Sequence, residues 1–247
     1  MNNRIDNHSM NTPRILLWAL ICGIGVTCHP LQAQQNLGFS YGESGLGMAI
    51  PDNDPSGIAR SFTINGLMED IPYDLTVRLS VEGGEFGAYN GDYYAYLLHE
   101  TPSGSEFRLA VLMNRVGSSS SSPNGYSDSG FQLTFSDSAQ YDVHRYRVSL
   151  GGESVGAVMG TWQPDGRRVD PSAVLDTSPR TAPLTPLGQI NPNGRYTLFV
   201  SDMEAGGTGK LTGWEVRALA VIPEPSALSM LGMGLLVWMG YRVRRSA

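Results

Sequence analysis

Asp52 and Asp54 flank Asn53 in the run Ile50-Pro51-Asp52-Asn53-Asp54-Pro55. In a turn of this composition two carboxylates and nearby backbone carbonyls converge, the flexible oxygen ligand set that calcium takes. Asp92, in Asn90-Gly91-Asp92, and Asp202, closing Val200-Ser201-Asp202, stand at the boundaries of apolar runs. These four aspartates form a candidate calcium set. Each has a competing reading as a turn cap that accepts backbone N–H bonds.

Other groupings resemble chemistry without completing it. Gly152-Glu153-Ser154-Val155-Gly156 has the spacing of a nucleophile elbow. An elbow needs a helix after its serine and, in hydrolase order, a later histidine; residues 157–160 start a helix poorly and no histidine follows His144. Gly206 to Lys210 brushes against a phosphate-binding loop, but Leu211 stands where a hydroxyl must hold magnesium. It reads as a hairpin turn between the last two strands. His99 and His144 are isolated, and two histidines on β segments are more often packed or exposed than zinc ligands. No acid spacing points to glycoside hydrolysis. The chain is read as a non-enzyme.

These groups need elements to hold them, and the elements read as β throughout. Leu75, Val77, Leu79 and Val81 alternate with Thr76, Arg78 and Ser80, which is a half-buried antiparallel strand. Tyr196, Leu198 and Val200 alternate in the same way, as do Trp214, Val216, Ala218 and Ala220. Residues 93–98 and 109–113 are near-continuous apolar runs suited to central strands. Further strands are expected at 60–64, 131–135, 143–150 and 155–162. Ser118 to Gly125 reads as an exposed Ser-rich loop and 164–186 as a long excursion. Short strands between Gly and Pro turn signals indicate a sandwich or barrel.

Charge narrows the partners. Residues 34–222 hold 21 Asp/Glu against 12 Lys/Arg, a formal charge of −9, with Lys210 the lone lysine. Nucleic acid and anionic lipid need basic patches, so neither is expected. About 190 residues suffice for one domain with its own core.

Both ends carry sorting information. Arg14, the apolar run 15–26 and Leu31-Gln32-Ala33 have the order of a secretory signal peptide over residues 1–33, cleaved between Ala33 and Gln34. Cleavage there removes Cys22 and Cys28 and leaves a cysteine-free body. After Val221 come Pro223-Glu224-Pro225, an uncharged apolar run to Tyr241, and Arg242, Arg244 and Arg245. Residues 226–241 are expected to form a single transmembrane helix, slightly short of the usual ~20 residues but flanked by interfacial aromatics and snorkelling arginines. The arginines place the body on the non-cytoplasmic side.

This order of parts resembles the PEP-CTERM sorting tail of Gram-negative bacteria, here residues 221–247. The resemblance implies an exosortase-type membrane enzyme as partner. It also implies an inner-membrane stage and delivery to the cell surface or an exopolysaccharide-rich matrix. The body, roughly 46–220, is similar to the P domain of subtilisin-like proprotein convertases. The likeness rests on Ile50-Pro51-Asp52-Asn53, the strand Val77 to Val81, Asn90-Gly91-Asp92, Gly194 to Asp202 with Tyr196 in place of the family's Trp, and Gly209-Lys210-Leu211-Thr212-Gly213-Trp214. It implies an antiparallel jelly-roll β-sandwich over 34–220. Expected roles are structural or binding, toward exopolysaccharide or a surface protein, with Tyr89, Tyr93, Tyr94 and Tyr126 as sugar-stacking candidates. The alternatives are a secreted hydrolase acting on matrix polymer and an accessory module for a separate protease. Aromatics gathered on an exposed face favour binding; two facing carboxylates in a pocket favour hydrolysis.

Overall fold

The structure, a computed structural model, describes residues 37–84, 87–152 and 156–221. The signal segment with its Ala33–Gln34 junction, Ser154, Pro223-Glu224-Pro225, the apolar run 226–241 and the terminal arginines lie outside the described residues. Among the described residues no helix is long and apolar enough to cross a membrane.

The chain folds as an all-β, jelly-roll-like sandwich. Its strands are β1 (Gly38–Ile50), β2 (Asp54–Ile64), β3 (Tyr73–Gly83), β4 (Tyr93–Glu100), β5 (Phe107–Asn114), β6 (Phe131–Phe135), β7 (Val158–Trp162), β8 (Gly194–Asp202) and β9 (Gly209–Ala220). One sheet has the order β1-β9-β3-β6-β7 and the other β2-β8-β4-β5. Every pairing is antiparallel except β6 with β7, which run parallel.

The alternation seen in the sequence is the alternation of the core. In β3, Tyr73, Leu75, Val77, Leu79 and Val81 are buried while Asp74 and Arg78 face out. Each such side chain, once buried, contributes about 1.5–3 kcal/mol by leaving water. The opposite sheet supplies Tyr93, Ala95 and Leu97 from β4 and Tyr196, Leu198 and Val200 from β8. At one end Tyr41, Phe62, Tyr196 and His99 form a run of stacked rings, with centroid spacings of 4.0, 5.3 and 4.0 Å. Tyr196 sends its hydroxyl to the Pro192 carbonyl at 2.9 Å.

Several expectations are corrected. Residues 143–150 are not a strand: a 3₁₀ turn (Val143–Arg145) runs into the one-turn helix α1 (Tyr146–Ser149). The Asp142 carboxylate accepts the His144 N–H at 2.9 Å and starts that turn, the N-terminal capping that favours helix over strand. Residues 203–208 do not form a hairpin, because β8 and β9 belong to different sheets; the segment crosses the sandwich edge. The Ser-rich loop is exposed at Ser120, Ser121, Pro123 and Asn124, as expected, and is anchored at its start by the buried Ser118, whose hydroxyl bonds the Val174 and Pro123 carbonyls. Tyr93 is fully buried in the core and unavailable for stacking on a ligand.

The long excursion after β7 is ordered by charge. His144 presents both ring nitrogens to acceptors, Nδ1 to Asp165 at 2.7 Å and Nε2 to the Ser118 carbonyl at 3.0 Å. Arg167 spans Asp165 at 3.2 Å and Asp142 at 2.9 Å. Asn114, from β5, donates to the Arg167 and Val169 carbonyls. Segment 165–182 thereby covers the free edge of β5, where Ala182 O and Gly166 N bond to Val111. A covered edge offers no template for pairing with another chain.

Candidate functional site

At the pole where β1, β3 and β8 end and β9 begins, four stretches meet: the β1–β2 turn, residues 87–92, residues 115–128 and residues 202–208. Backbone bonds stitch them together. Asp92 N–H donates to Tyr89 O at 2.9 Å, Gly91 N–H to Tyr126 O at 2.8 Å, Asn90 N–H to Asp128 O at 2.9 Å and Met203 N–H to Asp92 O at 2.9 Å. Gly91 is required by contact: a Cβ there would stand 2.4 Å from Asn124 O.

Of the four expected aspartates, the fold brings three together. Asp92 and Asp202 are buried side by side, 4% and 1% exposed. Asp52 reaches over from the β1–β2 turn and accepts the Gly206 N–H at 3.1 Å. Asp54 stays apart, capping its own turn through Ser56 N–H at 2.9 Å. Asp202 also accepts a local N–H, from Glu204, at 3.3 Å. Capping is therefore the observed role of Asp52, Asp54 and Asp202. Asp92 differs: no hydrogen bond reaches its carboxylate among the described residues.

Two residues of the site were not anticipated. Arg115, at φ +46°, turns the chain after β5 and directs its buried guanidinium into the cluster. It bonds the Gly91 carbonyl through Nε at 3.3 Å and pairs with Glu204 at 2.7 Å. A left-handed arginine after an apolar strand carries no local signal of its partner, and Glu204 lies in what reads as a plain turn. The site thus sets four carboxylates against one guanidinium. Burial, and after it the neighbouring Asp202 charge, pushes the Asp92 carboxyl up to about 7 against the pull of Arg115. Burial likewise raises Asp202 to about 6, with Asp52 and Glu204 adding to it and the Glu204 N–H opposing. The buried Tyr93 hydroxyl, packed against Gly209, has no hydrogen-bond partner among the described residues.

The donors are the oxygen type that calcium takes. Among the described residues no three acidic, histidine or cysteine side chains are gathered closely enough to hold a metal. The cleft outside the cluster has a volume of about 370 Å³ and is lined by Tyr89, Asp92, Asn124, Tyr126, Ser127 and Glu204.

Elsewhere, His99 and His144 are fully buried and engaged at both ring nitrogens, His99 with the Leu187 and Asn193 carbonyls. Gly156 and Ala157 lead directly into strand β7. On the outer face of β4 and β8, Tyr94, Tyr96 and Phe199 are half-buried, and Tyr96 stacks on Phe199 at 4.8 Å. Those two rings occupy each other's faces.

Residues 221–245 match the PEP-CTERM protein-sorting motif. The chain therefore carries a tail that marks it for export and membrane-linked sorting in Gram-negative bacteria, with processing by an exosortase. No curated protein matches the chain. Among solved structures it is similar to the serine protease of Aeromonas sobria, at 14% identity and a TM-score of 0.34 over 74% of this chain and 26% of that one. It is also similar to the complex of that protease with its chaperone, at 13% identity and a TM-score of 0.33 over 75% and 26%. The chain spans about a quarter of the length of those it matches.

Proposed function

We propose that the chain is a surface or extracellular-matrix protein whose β-sandwich is a non-catalytic structural or binding module, released from its tail by an exosortase. The observation that carries this reading is the sorting motif at 221–245, which begins where the sandwich is complete: β9 ends at Ala220. Pro223 and Pro225 each disfavour helix at the residue before them, which suits a stretch that a processing enzyme must reach. Support for a non-catalytic body comes from the histidines, whose ring nitrogens are all engaged, and from Glu204, which is tied to Arg115.

Fractionation with an antibody to the body tests the sorting. Replacing Pro223-Glu224-Pro225 by alanines should leave the protein in the inner membrane of a host with the matching exosortase, while wild type reaches the surface. Equal surface delivery of both overturns the reading.

Calcium belongs to the proposal as a stabilising ion that would draw Asp52, Asp92 and Asp202 closer together than they stand. Excess negative charge around one guanidinium supports it, and a ligand that binds only the native state raises stability by mass action. The melting temperature should rise by a few degrees in millimolar calcium and return with chelator. A melting temperature indifferent to both assigns these residues to capping alone.

A further inference from the structure

The cleft at the acidic pole combines three features that a structural cap does not need. Tyr89 is 39% exposed, and its ring is backed by the chain at Gly206 and Gly207; a Cβ on Gly207 would stand 3.2 Å from the ring. The ring lies against the Gly206–Gly207 backbone and lines the cleft where it is exposed. Asp92 lines the cleft floor while 96% buried, and its carboxylate accepts no hydrogen bond among the described residues. Asn124, Ser127 and Tyr126 place amide and hydroxyl groups around the rim, and neither the Tyr89 nor the Tyr126 hydroxyl has a hydrogen-bond partner among the described residues. The nearest cation, Arg115, bonds Glu204 and Gly91 O and leaves its Nη2 without a partner among the described residues, so it draws on Asp92 only through space.

We propose that this cleft binds an amino sugar, with the pyranose ring on Tyr89 and the ammonium group on Asp92. The inference rests on reading the body as a binding module. Each part of the ligand answers a separate feature. A buried carboxylate without a partner calls for a cation or a proton, since leaving a charge unpaired out of water is costly. A flat aromatic face backed by glycines suits the apolar C–H face of a sugar ring. Hydroxyl and amide groups spread around the rim suit several ligand hydroxyls in different directions, which a lysine side chain lacks. The volume of about 370 Å³ lies within the range of small-molecule sites, about 300–1,000 Å³. A neutral or N-acetylated sugar would fill the same space and leave Asp92 uncompensated.

Calorimetric titration of the purified full chain in detergent, with glucosamine trisaccharide as the probe, tests this. The N-acetylated trisaccharide and tri-lysine serve as comparisons. The expected result is binding of the glucosamine probe roughly tenfold or more tighter than of either comparison, as a charge-assisted contact implies. Asp92→Asn and Tyr89→Ala should each weaken it by roughly tenfold or more, with unchanged circular dichroism. Calcium should compete with the glucosamine probe. Equal binding of the acetylated probe, tighter binding of tri-lysine, or indifference to Tyr89→Ala overturns the proposal. Tyr89 is a surface position, so that last arm holds even where Asp92→Asn unfolds the protein. A null titration with normal fractionation removes the amino sugar and leaves the sorting reading standing.

Discussion

Asp92 sits where ionisation is resisted, and that has a measurable sign. Its carboxyl ionises at about 7 in the folded chain, far above the ordinary aspartate value near 3.8. Between those values the unfolded chain has released its proton while the folded chain retains it. Stability from this group is therefore fully present below pH ~4 and is lost as pH rises toward ~7. Asp202, raised to about 6, adds to the same slope. Asp92→Asn keeps the shape and removes the titration. In chelator at pH 8 it should be more stable than wild type by roughly 1–2 kcal/mol, with little difference at pH 4. Denaturant melts at the two pH values check this. The residue scale was also only half legible in the sequence. Asp52, Asp92 and Asp202 announced themselves because turn residues surround them. Arg115 and Glu204 did not, because a pair formed across two loops leaves no spacing to read.

Among the elements, legibility followed burial. β3, β6 and β8 alternate because one face meets the core, and the sequence located them well. β1 was missed: it is a sheet-edge strand rich in Gly and Ser, with most residues partly or fully exposed. The helical turn at 143–149 was misread because Val143 and Tyr146 are both core residues, and a short apolar run does not distinguish strand from helix. The excursion at 165–182 was invisible as structure, since buried ion pairs and not periodicity order it. That assigns it a clear failure mode. Arg167→Ala leaves Asp165 and Asp142 without their shared cation, and breaking a buried pair costs about 3–5 kcal/mol. The expected result is fast hydrogen exchange or proteolysis within 168–181 before the sandwich itself opens. Unchanged protection there would show that the Asn114 bonds and the backbone bonds to Val111 suffice.

At the scale of the molecule, the β-sandwich class and the sorting tail were readable from pattern and order, but which strands share a sheet was not. Strand β9 runs between β1 and β3 and, at 12 residues, spans about 40 Å. Its last residues meet the start of the body: Ala220 N–H bonds Leu37 O, and Val221 N–H bonds Pro72 O. The tail thus departs from one pole and the acidic cleft opens at the other. For a tethered protein this arrangement has a mechanical meaning. Tension between a ligand held against Tyr89 and a tail held at the cell envelope enters the fold just after β3 and leaves at the far end of β9. It loads the β3–β9 ladder in shear, so its bonds share the force and do not yield one after another. Pulled between residue 89 and residue 221, the domain should withstand markedly higher force than when pulled between residues 37 and 221, where the load peels β1 from β9 one pair at a time. Single-molecule force spectroscopy with those two attachment pairs reads the difference directly.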